Sequence, residues 1–202
     1  MSHVEHPPLR LAAMISGGGR TLLNLCDCID RGELNAQIVC VIASREDIAG
    51  VDRARTRKLP VHVVDHRVFA DEQACHDRID TLLLESSAEL VALCGWLRWL
   101  RIHPELTGRV VNIHPSLLPK FGGPGMYGNR VHQAVLDAGE RESGCTVHWV
   151  DEVYDHGSVI LQRRVPVAED DTVDSLAARV FDHECIAYPM AIREVAQRLA
   201  TS

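Results

Sequence analysis

The segment Asn112-Ile113-His114-Pro115-Ser116-Leu117-Leu118-Pro119 is the part of this 202-residue chain best equipped for chemistry. It follows an apolar run, Arg109-Val110-Val111, that reads as a buried strand. Side chains alternate along a strand, so Asn112 and His114 project from one face. The prolines and Ser116 stop the strand directly after them. An amide donor beside a titratable ring can hold a developing oxyanion and move a proton. The pattern points to acyl-type transfer; the plain alternative is a strand-end amide and a histidine tied to backbone. Asp155 weighs against that alternative. It lies in the turn Asp151-Glu152-Val153-Tyr154-Asp155-His156-Gly157. Within reach of His114 it would favour the protonated ring and fix which nitrogen faces a substrate.

Three further groups have chemical readings. Ser16-Gly17-Gly18-Gly19-Arg20-Thr21 stands between a strand and a helix, where glycines let backbone approach an anion and the helix start supplies free N–H groups. It is neither a full dinucleotide fingerprint, since Leu22 stands at the third glycine position, nor a phosphate loop with GK[ST]. A single phosphate is the ligand it fits, and a ligand-free tight turn is the alternative. His148, in Thr146-Val147-His148-Trp149, reads as a structural or site-lining residue more than as a catalyst. Trp96, Leu97, Trp99 and Leu100 follow Gly95 and form either core packing or an apolar wall for a flat heteroaromatic ligand.

These groups need a frame. Leu9 to Ile15 is a short apolar run, and Arg20 to Arg31 carries apolar residues at helical spacing. Ala36 to Ala43 reads as a strand, Ile48 to Lys58 as a helix and Val61 to Val64 as a strand. Glu72 to Glu85 reads as a helix, Glu89 to Cys94 and Arg109 to His114 as strands. Uniformly apolar strands alternating with helices argue for a parallel, Rossmann-like α/β sheet covered on both faces. The pattern then changes. Lys120 to Asn129 is a glycine-rich loop and Arg130 to Ala138 a helix. Cys145 to Val150 and Ser158 to Val167 are strands able to pair antiparallel and extend the sheet edge. Asp171-Thr172-Val173-Asp174 starts a last helical region, which Pro189 is expected to kink or divide.

Composition narrows the function classes. Apolar residues are 46% and charged residues 24%, a soluble globular mix, and the net charge of −7 disfavours nucleic acid or a membrane surface as partner. No apolar stretch is long enough to span a bilayer. The seven cysteines are odd in number and several sit inside apolar runs, which suits buried thiols and a cytoplasmic location. One domain over 1–202 is expected, with 1–8 a disordered tail.

Taken together, the chain resembles the folate-dependent glycinamide ribonucleotide formyltransferases of purine synthesis, from about Arg10 to Val195. The segment Asn112 to Pro119 is similar to that family's signature, the glycine turn to its nucleotide-phosphate loop, and Gly144-Cys145-Thr146-Val147-His148 with Asp155-His156-Gly157 to its folate loop and catalytic aspartate. The resemblance implies the formyltransferase fold, a sheet with an antiparallel C-terminal extension. It implies Asn112, His114 and Asp155 as catalytic, with His114 protonated, and phosphate contacts at Gly18, Gly19, Arg20 and Thr21. Glu184, before Ala187-Tyr188-Pro189, and Pro115 would touch the amine substrate. Trp96, Leu97, Arg98, Trp99, Leu100, Val150, Asp151, Glu152 and Val153 would hold the folate, with His148 and Ser116 lining the site.

Two departures from the family pattern stand out. The turn has Gly18, Arg20 and Thr21 where SGNGSN is commoner. The loop Phe121 to Asn129 is longer than usual, either a lid or a mobile surface loop. The implied reaction carries a formyl group from 10-formyltetrahydrofolate to the amine of 5'-phosphoribosylglycinamide, without a metal. Its partners are small molecules, and the protein is expected to be a monomer or homodimer. A formyltetrahydrofolate hydrolase, or transfer to another amine such as an amino sugar nucleotide, is the alternative. Relatives of those kinds usually read HGSLLP or carry a second domain; here the sequence is HPSLLP, and the length suggests no such addition.

Overall fold

The computed structural model describes residues 7–200. The tail expected over 1–8 therefore lies largely outside the described residues. Seven strands form one sheet: β1 Leu9–Ile15, β2 Ala36–Ala43, β3 Val61–Val63, β4 Leu90–Leu93, β5 Val110–His114, β6 Glu142–Trp149 and β7 Val159–Pro166. Their order is β3-β2-β1-β4-β5-β6-β7. The first five run parallel, and β6 and β7 are added antiparallel. The helices are α1 Arg20–Asp30, α2 Ala49–Thr56, α3 Glu72–Glu85, α4 Asn129–Asp137 and α5 Val173–Leu199.

Strand alternation divides the core into two layers. Leu9, Leu11, Ala13 and Ile15 of β1 join the layer shared with α1, α2 and α5, and Ala12 and Met14 join the layer shared with α3. Both faces are thus covered, as an all-apolar parallel strand requires. β6 starts at Glu142, ahead of its apolar run, because Gly144 lets the strands close up. A Cβ there would sit 2.0 Å from the Arg163 carbonyl oxygen. Among the described residues no helix is long and apolar enough to cross a membrane.

Of the two outcomes expected of Pro189, division of the last helix does not occur; α5 runs through it for 27 residues. A helix proline normally orphans the carbonyl four residues back. Here that carbonyl belongs to Cys185, and the Asn24 side-chain amide donates to it at 2.9 Å. The lost backbone bond is replaced from α1. One turn earlier than Pro189, Glu184 faces the site. Next to the proline, the fully buried Tyr188 hydroxyl reaches the Leu93 and Val111 carbonyls, each at 3.1 Å.

Candidate active site

Strand β1 leads on one side to β2 and on the other to β4, and open α/β sheets form their ligand crevice at such a switch point, beyond the strands' carboxyl ends. A cavity of about 490 Å³ lies there. Residues 17–21, 93–100, 112–115, 123–129 and 153–155 line it, with His132, His148, Val150, Asp151, Phe181 and Glu184.

At its centre stand the residues of the strand ends. Antiparallel pairing sets His148 of β6 opposite Asn112 of β5. The Asn112 amide nitrogen lies 3.1 Å from His148 Nε2 and donates at 3.4 Å to Asp155 Oδ1. His148 Nδ1 lies 2.8 Å from the Trp149 carbonyl, so that nitrogen carries the proton and Nε2 accepts from Asn112. Asp155 comes from the turn after β6, with a left-handed φ of 53°. Its Oδ2 is 3.4 Å from His114 Nδ1 and accepts from the Gly123 N–H at 2.9 Å. His114 Nε2 donates to the Phe121 carbonyl at 2.8 Å.

Three residues distant in the chain therefore meet, and the loop after β5 reaches both ends of the pair. That loop is cavity wall, since its Phe121 carbonyl and Gly123 N–H each hold a member of the His114–Asp155 pair. Gly122 has no room for a side chain, because a Cβ would lie 2.5 Å from Leu118 Cδ2.

Opposing influences act on the His114 ring. Burial pulls its pKa below the ordinary imidazole value, outweighing the upward pull of Asp155 and the Phe121 carbonyl. With Nε2–H on Phe121, its Nδ1 faces the Asp155 carboxylate. Burial alone would raise the Asp155 carboxyl, but the His148 and His114 rings and the Gly123 N–H together hold it below the usual carboxylate range. Glu184 behaves oppositely. Its carboxyl is densely surrounded, and burial pushes it up to about 7 against the opposing charge of Arg20.

The glycine turn meets the needs of an anion site. Gly19 has a φ of 70°, and no side chain caps the first turn of α1. The turn is backed by α2: the Gly50 N–H donates to the Gly17 carbonyl at 3.1 Å, and Arg53 donates to the Gly18 carbonyl at 2.6 Å. Arg20 leans on the Phe181 ring, 4.1 Å from its centroid.

Several expected residues are placed differently. Ser116 is fully buried, and its hydroxyl donates to the Lys120 carbonyl at 2.6 Å; it does not line the cavity. Glu152 does not line it either and offers its carbonyl to Trp99. The apolar wall splits: Trp96 and Leu100 are buried in the α3 layer, whereas Leu97 and Trp99 are 49% and 38% exposed. Arg98, Val150, Asp151, Val153 and Pro115 do line the cavity.

The sequence reading passed over His132 and Phe181. His132 is buried on α4 with its Nδ1 lacking a hydrogen-bond partner, and burial pulls its pKa down. Its signal was a histidine on the apolar stripe of Val131 and Val135. Among the described residues no group of three or more His, Cys, Asp or Glu is arranged to hold a metal ion.

The fold and site define an open-sheet α/β protein whose switch-point cavity combines an anion turn, an amide, an imidazole and a carboxylate. The formyl transferase family pattern matches residues 9–192. The chain is 33% identical to the phosphoribosylglycinamide formyltransferase of Haemophilus influenzae over 91% of its own length and 85% of that protein. It is 39% identical to the bovine trifunctional purine biosynthetic protein adenosine-3 over 96% of its own length, and spans 19% of that relative's length. The crystal structure of glycinamide ribonucleotide transformylase 1 from Symbiobacterium toebii superposes with a TM-score of 0.88 at 34% identity, covering 98% of this chain and 92% of that one. The chain belongs to the formyl transferase family.

Proposed function

We propose that the protein transfers the formyl group of 10-formyltetrahydrofolate to the amine of 5'-phosphoribosylglycinamide. The observation that carries this is the meeting of His114 and Asp155, 3.4 Å apart, in a cavity bounded by the glycine turn and the 95–100 segment. The names of the relatives supply the acceptor and the formyl group, and the family resemblance supplies the folate carrier. The cavity suits the folate: Trp96 lines it, and its buried indole N–H has no partner within the described protein. The folate brings an activated one-carbon unit, so no metal is called for.

The residues divide the work as follows. Gly18, Gly19, Arg20 and Thr21 hold the phosphate, and Glu184 and Pro115 the rest of the amine substrate. Trp96, Leu97, Arg98, Leu100, Val150, Asp151 and Val153 hold the pterin, so the two reactants are presented to each other and the step becomes effectively unimolecular. As the amine nitrogen bonds to the formyl carbon, the carbonyl oxygen gains charge. Asn112 meets it by giving up its long 3.4 Å contact to Asp155. The neutral His114 takes the proton from the attacking nitrogen at Nδ1. The imidazolium so formed is stabilised by Asp155 and the Phe121 carbonyl, and joins Asn112 beside the oxyanion. The proton then passes to the departing folate nitrogen as its bond to the formyl carbon breaks. Substrate nitrogen loses one proton, folate nitrogen gains one, and the site returns to its starting state.

The test is the absorbance change as formyl-folate is consumed, with and without phosphoribosylglycinamide. The proposal expects consumption that requires the amine and a loss of several orders of magnitude in His114→Ala. Normal turnover in that variant overturns the assignment of His114. Formate released equally fast without amine overturns transfer in favour of hydrolysis.

A further inference from the structure

The Trp99 indole joins the two segments that wall the cavity away from the glycine turn. On one side its ring meets His76 of α3 edge-on, with centroids 5.2 Å apart and planes at 69°. His76 is buried, so this contact fixes the indole against the body of the protein. On the other side its Nε1–H donates to the Glu152 carbonyl at 3.1 Å, across 53 residues of sequence.

Glu152 lies midway along the segment between β6 and Asp155. The start of that segment is anchored where the Val150 N–H donates to the Val110 carbonyl at 2.9 Å. Its end is anchored where Asp155 receives the Gly123 N–H. In between, the Asp151 carboxylate accepts from the Val153 N–H at 2.8 Å and pairs with His156 Nδ1 at 2.9 Å, which shapes the turn from within but ties it to nothing else. The Trp99 bond is what ties the middle of the turn to the opposite wall.

We propose that Trp99 is a positioning residue for the pterin site, holding the 150–155 segment at its distance from the 95–100 segment through the Glu152 carbonyl. Its own N–H is spent on that carbonyl and is not a ligand donor. The inference deepens the formyl-folate reading and rests on it. A planar ligand entering between two segments gains most when their spacing is set beforehand, because ordering them on binding costs affinity. Losing the clasp weakens binding of the planar reactant and leaves the reacting residues in place.

The experiment uses the full chain with Trp99→Phe, which keeps a ring against His76 and removes the donor. Trp99→Leu is the second variant, so that a folding defect peculiar to one replacement is recognised by its melting curve. Binding of tetrahydrofolate is measured by calorimetry, and KM and kcat are measured for both substrates. The expected result is a five- to tenfold rise, roughly the worth of one hydrogen bond, in tetrahydrofolate Kd and formyl-folate KM. The amine-substrate KM and kcat should stay within about twofold, because no phosphate or reacting-centre contact is lost. An unchanged folate KM, with or without a lowered melting temperature, assigns Trp99 to packing and overturns the inference. So does a fall in kcat without a change in folate KM. A wild-type protein that binds no tetrahydrofolate overturns the formyl-folate reading, and this inference with it.

Discussion

Replacing Asp155 by asparagine isolates one charge. The carboxylate lies 3.4 Å from His114 Nδ1, and in the proposed mechanism it faces a neutral ring until the substrate proton moves. Its full effect is felt only when His114 has taken the substrate proton. At that distance, two unit charges in an effective dielectric of about 20 attract by about 5 kcal/mol. An amide supplies almost none of this, yet still accepts from the Gly123 N–H, so the loop stays docked. The expected fall in kcat is therefore about a thousand- to ten-thousandfold, with substrate KM values nearly unchanged because the charge pair exists only along the reaction. The pH profile gives a second reading. Asp155 pulls the His114 pKa up, so its removal moves the acid limb of kcat to lower pH, where the ring stays neutral longer. The absorbance assay for formyl-folate consumption at a series of pH values measures both effects. A kcat within threefold of the wild type, or an acid limb moved upward, refutes the reasoning.

Two other substitutions probe the surroundings. At Gly50 a Cβ would lie 2.6 Å from the Gly17 carbonyl oxygen and 2.8 Å from Ile15 Cδ1. Gly50→Ala should push α2 from the glycine turn, cost about 1–3 kcal/mol of stability and raise KM for the phosphorylated amine, with formyl-folate KM unaltered; an unchanged amine KM separates the turn from phosphate binding. Glu184 has a folded pKa raised from 4.5 to about 7, so the folded state binds the proton more tightly than the unfolded chain. Its contribution to stability is greatest below pH 4.5 and declines as pH rises toward 7. Glu184→Gln should gain about 2–3 kcal/mol over the wild type between pH 5 and pH 8, read by urea unfolding at each pH, and a gap independent of pH contradicts the burial of that carboxyl.

The parallel half of the sheet was legible because each of its strands is an apolar run closed by a glycine or a loop, and local pattern suffices there. Asn112 and His114 were legible for the same reason, since strand alternation dictates their shared face. The downward pull of burial on the His114 pKa was not, because burial depends on neighbours such as Phe121 that only tertiary structure assembles. That α5 continues through Pro189 was not legible, because the replacement donor, Asn24, lies 161 residues away from the freed Cys185 carbonyl. Ser116 was misplaced because the turn after β5 folds its hydroxyl back on Lys120. Trp99 was recognisable as a wall residue, but the carbonyl it holds could not be read from its own segment.

Glu184 and Tyr188 lie one turn apart on the same face of α5. The tyrosine bolts that helix to the end of β4 and the first part of β5 through two main-chain oxygens. The helix therefore cannot slide or rotate to suit a larger or smaller acceptor without tearing the bolt from the strands that carry the chemistry. Adaptation to a new amine is left to segments not bolted in this way, above all the glycine-rich stretch between β5 and α4. Variation directed at residues 123–129, with α5 untouched, is where altered acceptor preference should arise at least cost to folding.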